Sequence, residues 1–244
     1  MSKRLKFFMG HFGISILIAL AVLGLIFFIW YPTPLATAVG VTQIFLMLLV
    51  IDIIVGPLLG LLVYKEGKKS LKFDLSVIIL LQISALFYGL YNLEQGRPAW
   101  IVYNVDRFDL IRKNDIIPEN IEQAAEKYQK TAWFDVQYAA ITFSKDPEQR
   151  SDDFFTEAFG GISIAQRPER YIELHKVKQQ IQQRAQHLEQ LRQYNEPSVI
   201  KSVLEKYPNA NAWLPLKANA VDMVVLINKQ KAEVIKIVDL RPWD

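Results

Sequence analysis

The side chains best suited to chemistry in this 244-residue chain are few and scattered. There is no cysteine, which excludes disulfides, thiolate chemistry and cysteine-based metal sites. Of the three histidines, His11 lies in an apolar segment, whereas His175 and His187 lie in a segment that predicts one long helix. Their separation corresponds to about 18 Å of helix rise, so that helix cannot bring both imidazoles to one metal ion. We therefore expect surface histidines and no metal site.

Recognisable catalytic motifs are also absent from the sequence. It contains no Walker loop, G-x-G-x-x-G, G-x-S-x-G or H-E-x-x-H. Asp152 and Asp153 could form an acid–base pair with another carboxylate, but nothing fixes such a partner, and acids at a helix start are the simpler interpretation. We therefore expect no enzymatic activity and no cofactor.

Asp52 is the polar residue that most needs an explanation, because it lies near the middle of an apolar segment. An ionised side chain there costs several kcal/mol unless it is paired or neutral. Helix rise counted from the basic ends places Asp52 at ~18 Å depth, Gln82 and Ser84 at ~12–15 Å, and Ser15 at ~12 Å. His11 is shallower still. Gln82 or Ser84 is therefore the expected partner of Asp52.

Small residues follow Asp52 in the same segment. Gly56 and Gly60 are four positions apart, a spacing that allows another helix to approach closely. Pro57 leaves a carbonyl one turn back, near Asp52, without its donor. Two interpretations stay open: these residues fix the register of a helix bundle, or they contact another protein's transmembrane helix. The candidate intramembrane contact residues are Asp52, Gly56, Pro57, Gly60, Gln82 and Ser84.

The elements that carry these residues are three apolar segments. No charged residue lies between Lys6 and Asp52, and none lies between Leu75 and Leu93. A helix needs about 20 apolar residues to cross the hydrocarbon of a bilayer. We predict a transmembrane domain over 1–96, with helices at about 7–31, 41–64 and 75–93. The first segment is longer than the hydrophobic part of a cleaved signal peptide, which favours an uncleaved anchor.

The distribution of basic residues predicts the orientation. The N-terminus and the loop of residues 65–72 are rich in Lys and Arg, whereas the loop of residues 32–40 carries no charge. Short basic loops stay in the cytoplasm, so we expect the N-terminus inside and residues 97–244 outside. The net charge of +3 comes largely from these anchor residues and does not indicate nucleic-acid binding.

Residues 97–244 have the composition of a water-exposed α+β domain. β-branched and aromatic runs predict strands at 98–108 and 136–143 and a hairpin of 221–227 and 234–240. Helix-start signals predict helices over 118–131, 146–159, 168–194 and 199–206. The expected fold is a small, mainly antiparallel sheet with helices on one side. The hairpin residues expected to be buried are Val224, Leu226, Ile235, Ile237 and Val238.

The sequence resembles a known family along its whole length. The carriers of the resemblance are DIIVGPLL from Asp52, KEGKKSLKFDL from Lys65, VDRF from Val105, LPL from Leu214 and DLRPW from Asp239. They are similar to the type IV pilin accessory proteins of the TfpX/TfpZ kind, from Gram-negative bacteria. The resemblance implies a role as an inner-membrane helper of pilus assembly. It supplies no catalytic residue.

The expected function is therefore to bind or present type IV pilin and so to modulate pilus assembly or disassembly. The expected partners are pilin, the lipid bilayer and, as a further option, other pilus assembly proteins, with no nucleic acid. Two alternatives stay open: a membrane enzyme that modifies pilin, and a periplasmic sensor that signals through a cytoplasmic partner.

Overall fold

The computed structural model describes residues 1–144 and 146–243. The chain forms two compact units. The first consists of Met1–Ala36 and Val41–Gly96, and the second of Thr37–Gly40 and Arg97–Asp244.

Three long apolar helices make up the first unit, as predicted. Helix α1 runs over Lys3–Gly24 and continues as a π-helix over Leu25–Trp30. After the short helix α2 (Leu35–Val39), helix α3 spans Val41–Val63 and α4 spans Leu71–Gln95. The most apolar stretches of α1, α3 and α4 are only 22%, 22% and 0% buried, as expected for helices that face lipid. Each of the three is long and apolar enough to cross a membrane.

Helices α1 and α4 begin about one turn earlier than predicted. Their additional first turns carry charged residues, which are Lys3, Arg4 and Lys6 in α1 and Lys72 and Asp74 in α4. The hydroxyl of Ser2 accepts a hydrogen bond from the Leu5 amide at 3.2 Å and so caps α1. The polar residues before each apolar segment therefore continue the helix.

Close contacts hold the ends of these helices together. The Tyr31 hydroxyl, at the end of α1, donates a buried hydrogen bond of 2.6 Å to the Leu93 carbonyl near the end of α4. Gly89 of α4 lies against α3, since a Cβ at this position would be 2.2 Å from a methyl carbon of Leu48. The bundle therefore uses small and polar side chains where its helices approach.

The second unit contains a seven-stranded, mostly antiparallel sheet, which confirms the predicted α+β class. The strands are β1 (Pro98–Asn104), β2 (Arg107–Arg112), β3 (Gln137–Ile141), β4 (Tyr171–Ile172), β5 (Ala212–Lys217), β6 (Met223–Asn228) and β7 (Glu233–Val238). Their order in the sheet is β4-β3-β1-β2-β5-β6-β7. The pairs β1/β3 and β2/β5 are parallel, and the other four are antiparallel.

The sheet has seven strands where four were predicted, because the strand expected over 98–108 is two strands and because β4 and β5 were not expected. The single strand expected over 98–108 is the hairpin β1–β2, which turns at Val105 with φ of 60° and at Asp106. Strand β5 was missed because it contains Pro215, a residue that argues against a central strand. The predicted strand 136–143 and the C-terminal hairpin are confirmed as β3 and as β6–β7.

Two predicted helices are wrong. The segment 118–131 forms short 3-10 turns at Ile121–Gln123 and Glu126–Tyr128. The segment 168–194 is α-helical only at α6 (Lys178–Arg184). Pairing with the sheet overrides the helical periodicity of this segment. Tyr171–Ile172 pairs with β3, and Gln186 exchanges two backbone hydrogen bonds with Trp213. The helices α5 (Pro147–Gly160) and α7 (Pro197–Leu204) agree with prediction.

The core of the second unit includes two apolar clusters. One surrounds Trp100 and Tyr171, and the other surrounds Trp213 and Leu226. Of the hairpin residues expected to be buried, Val224, Leu226, Ile237 and Val238 are buried, whereas Ile235 is half-buried.

Candidate functional site

A polar cluster inside the first unit is centred on the side chain of Gln82 in α4. Its Nε2 donates to the Ser15 hydroxyl of α1 at 3.1 Å and to the backbone carbonyl of Asp52 in α3 at 2.7 Å. Its Oε1 lies 3.0 Å from His11 Nε2 of α1. Since an amide oxygen only accepts, His11 donates from Nε2. One side chain thereby links the three spanning helices.

The Asp52 carbonyl is available to Gln82 because α3 contains a π-helical turn at Ile51–Val55. The Gly56 amide donates to the Ile51 carbonyl, five residues back, and not to the Asp52 carbonyl, its partner in an α-helix. Pro57, next in the chain, has no amide hydrogen to donate. Pro57 predicted a carbonyl near Asp52 without a backbone donor. Gln82 of α4 supplies that donor, in keeping with the need to satisfy every backbone polar group inside a membrane.

The two glycines of α3 accommodate this cluster. A Cβ on Gly56 would lie 2.1 Å from Gln82 Oε1. A Cβ on Gly60 would lie 3.1 Å from a ring carbon of Phe7 and 3.4 Å from His11 Nδ1. Both glycines therefore serve close packing within the bundle.

The carboxyl group of Asp52 lies beside the cluster without a hydrogen bond. Asp52 is 5% exposed, and neither of its carboxylate oxygens has a hydrogen-bond partner among the described residues. Gln82, expected to pair with this carboxyl, contacts the Asp52 backbone instead. Ser84 is exposed and lies outside the hydrogen bonds that join the cluster. A buried carboxyl in this state is stabilised by neutralisation or by an arriving hydrogen-bond donor.

His11 and Ser15 belong to the cluster, although counting depth along the sequence did not favour them as partners. His11 and Ser15 are four residues apart and so lie on one face of α1, where both side chains reach Gln82. Helix start does not separate them in depth, because α1 and α4 both begin about one turn earlier than predicted. The four-residue spacing of His11 and Ser15 was the signal that could have found His11.

An apolar groove of about 210 Å³ lies along the cluster between α1 and α4. Its walls include Ile18 and Ile83, which are exposed on the outside of the bundle. The other lining residues are His11, Ile14, Ser15, Asp52, Ile79, Gln82 and Leu86. The groove therefore opens to the membrane and has the orphaned Asp52 carboxyl beside it, a combination suited to holding an apolar segment that brings a donor.

The remaining candidate residues lie in the second unit and do not converge. His175 and His187 are both exposed, as predicted. Asp153 is buried and paired with Arg167 at 3.3 Å and with Arg170 at 2.9 Å, a structural ion-pair arrangement, while the side chain of Asp152 is outside the described residues. No group of three or more His, Asp and Glu side chains suited to a metal ion occurs in the part of the chain that the structure describes.

Comparisons with known proteins point to one process. The family model described as "Fimbrial assembly protein FimB" matches residues 1–40. The chain is 32% identical over 228 residues to "Fimbrial assembly protein, serogroup E1" of Dichelobacter nodosus, covering 90% of this chain and 88% of that protein. The serogroup I protein of the same organism is 31% identical with the same coverage. No solved structure matches the chain.

Proposed function

Because the chain belongs to the family of fimbrial assembly proteins, it has a role in fimbrial biogenesis, and we propose that it binds the pilin of type IV fimbriae in the inner membrane. In this proposal it holds or presents pilin for assembly or disassembly. The observation that carries the proposal is the groove between α1 and α4 with the buried, unpartnered Asp52 carboxyl beside it.

The buried Asp52 carboxyl is unfavourable in the free protein. A buried polar group without a partner is unfavourable, and a hydrogen bond to a charged group contributes about 1.5–3 kcal/mol. A pilin subunit waiting in the membrane has an apolar N-terminal helix in the bilayer. Such a helix in the groove would cover Ile18 and Ile83 and could bring a donor to Asp52. This supports a binding role for Asp52 in addition to its place in the bundle.

The second unit offers pilin another contact. The basic N-terminus and the basic loop of residues 65–72 support a topology in which α1 starts in the cytoplasm and residues 97–244 lie in the periplasm, beside the pilin head. Two weak contacts on one tether gain affinity through effective concentration. The role is one of binding without catalysis.

The orientation is tested with reporter fusions. A reporter that is active only in the cytoplasm should be active when fused after Glu66 and silent when fused at the C-terminus. Activity at the C-terminus would remove the periplasmic contact from the proposal.

The groove is tested by photocrosslinking in cells that make pilin. A photoreactive residue at Ile83, in the groove wall, should capture pilin, whereas one at Leu81 should not. Leu81 is the matched control because it is also exposed on α4, at nearly the same depth, and is not among the residues that line the groove. Equal capture at both positions would contradict docking in the groove.

The role of Asp52 is tested in the same assay. Asp52→Asn keeps the backbone carbonyl that Gln82 uses, so the protein should stay folded and abundant while capture at Ile83 falls. Equal capture by wild type and Asp52→Asn would leave Asp52 as a structural residue. A covalent change on co-purified pilin would favour the enzyme alternative instead.

A further inference from the structure

A short loop of the second unit presents two aromatic side chains to the solvent. Trp133 is 51% exposed and Phe134 is 71% exposed, and their rings meet edge to face with centroids 6.4 Å apart. We name residues 132–135 the aromatic loop. Exposed apolar side chains that are contiguous, as these two rings are, are candidates for an interaction surface.

The aromatic loop is held in a defined conformation. The Ala132 amide donates to Gln137 Oε1 at 3.0 Å, and the Val136 amide donates to Asp135 Oδ1 at 2.8 Å. Gln137 is the first residue of β3, a strand next to β1 in the sheet. The sheet therefore fixes the loop that presents the two rings.

The aromatic loop is also tied to the residue at which the chain leaves its last spanning helix. Arg97, the second residue after α4 ends at Gln95, donates from Nη2 to the Thr131 hydroxyl at 3.3 Å. Trp133 and Phe134 follow Thr131 by two and three residues, a reach of at most about 7–11 Å. Both rings therefore lie in a segment that is hydrogen-bonded to Arg97, two residues after the end of α4.

For a bilayer that α4 crosses, the length of the helix puts its end in the headgroup region. The 25 residues of α4 rise about 37 Å, more than the ~30 Å of hydrocarbon that a helix must cross. The headgroup layer adds about 5–8 Å on each side. Tyr88 and Tyr91 are 72% and 62% exposed on the last turns of α4, as in the aromatic belt of a membrane interface.

We propose that the aromatic loop inserts Trp133 and Phe134 into the lipid headgroup region of the leaflet at which α4 ends. Trp combines an apolar ring with one N–H donor, which suits a boundary with one wet and one apolar side. The contact would continue the aromatic belt of α4 and fix the second unit at the membrane surface. This inference is independent of pilin binding.

The test uses the absence of cysteine in the chain. Phe134→Cys, in the full-length protein reconstituted in lipid nanodiscs, is labelled with an environment-sensitive thiol-reactive fluorophore. Val199→Cys is the matched control, since Val199 is an apolar residue of the same unit, 46% exposed, on α7. Trp133→Cys repeats the measurement at a second position of the loop.

We expect quenching by iodide to be several-fold weaker at residue 134 than at residue 199, and nitroxide-labelled lipid to quench only the label at residue 134. Equal iodide quenching at both positions would overturn the proposal. So would a label at residue 134 that is shielded from iodide yet not quenched by lipid, because a protein partner would then cover the loop.

Discussion

Gly56→Ala is the most direct perturbation of the polar cluster. The new Cβ would lie 2.1 Å from Oε1 and 2.4 Å from Cδ of Gln82, distances that real Cβ contacts do not show. The Gln82 side chain must therefore leave its position. It then loses its hydrogen bonds to Ser15, to the Asp52 carbonyl and to His11.

The size of the effect follows from these contacts. Hydrogen bonds between transmembrane helices average about 0.6 kcal/mol each, so losing three costs about 2 kcal/mol. Overpacking in a tightly packed interior costs a similar 1–3 kcal/mol where the side chain cannot move away. Replacing Gly by Ala in a helix returns up to about 1 kcal/mol. We expect the free energy of unfolding to fall by about 1–2 kcal/mol.

The assay is unfolding of the full-length protein in mixed micelles, followed by circular dichroism during titration with a denaturing detergent. Gly13→Ala in α1 is the control, because a Cβ there has no atom within 4 Å. Its midpoint should stay unchanged or rise slightly. Gly60→Ala should fall between the two, since its closest contact would be 3.1 Å.

A double variant tests the cause. In a Gln82→Ala background the clash and the three hydrogen bonds are already absent, so adding Gly56→Ala should cost little more. The reasoning is refuted if Gly56→Ala unfolds at the same midpoint as Gly13→Ala, or if its cost is undiminished when Gln82 is absent.

Two further predictions concern the second unit. Val225→Asp and Ile237→Asp should each make it sensitive to protease, because side chains 0% and 6% exposed cannot hold an unpaired charge without a cost of several kcal/mol. Lys236→Asp, at an exposed position of β7 next to Ile237, is the control and should stay resistant to protease. Unchanged resistance of both core variants would mean that these side chains are not in the core. Burial raises the pKa of Tyr171, and neighbouring carboxylates raise it further. The neutral phenol therefore contributes fully to the free energy of unfolding below the ordinary tyrosine pKa of 10. Above that pH the free energy of unfolding falls by about 1.4 kcal/mol per pH unit. The denaturant midpoint should therefore fall between pH 9 and pH 11, less steeply in Tyr171→Phe, and equal slopes in the two proteins would count against the argument.

The sequence by itself determined the features that depend on local composition. Length and apolarity within one segment are enough to specify a membrane-spanning helix, so α1, α3 and α4 were predicted within about a turn. Alternation and turn residues likewise predicted the hairpin β6–β7, whose partners are neighbours in the chain. Pro57 indicated a freed carbonyl near Asp52, because the effect of proline on a helix is local.

Tertiary structure decided the features that depend on competition between distant segments. The apolar periodicity of residues 168–194 fits a helix, but hydrogen bonds to β3 and to Trp213 pair parts of this segment with the sheet. Strand β5 carries a proline and joins the sheet by pairing with β2 and β6, which are distant from it or follow it in the chain.

The same reason limited the prediction of the site. Residue type alone singles out Asp52 and Gln82. Which oxygen of Asp52 accepts the hydrogen bond from Gln82 depends on the π-helical turn and on the space that Gly56, lacking a Cβ, leaves for the Gln82 side chain. His11 joins the cluster because it lies one turn from Ser15, on the face of α1 that meets Gln82. The register of the backbone hydrogen bonds and the close approach of the helices depend on α1, α3 and α4 packing together. The sequence of one helix alone specifies neither property.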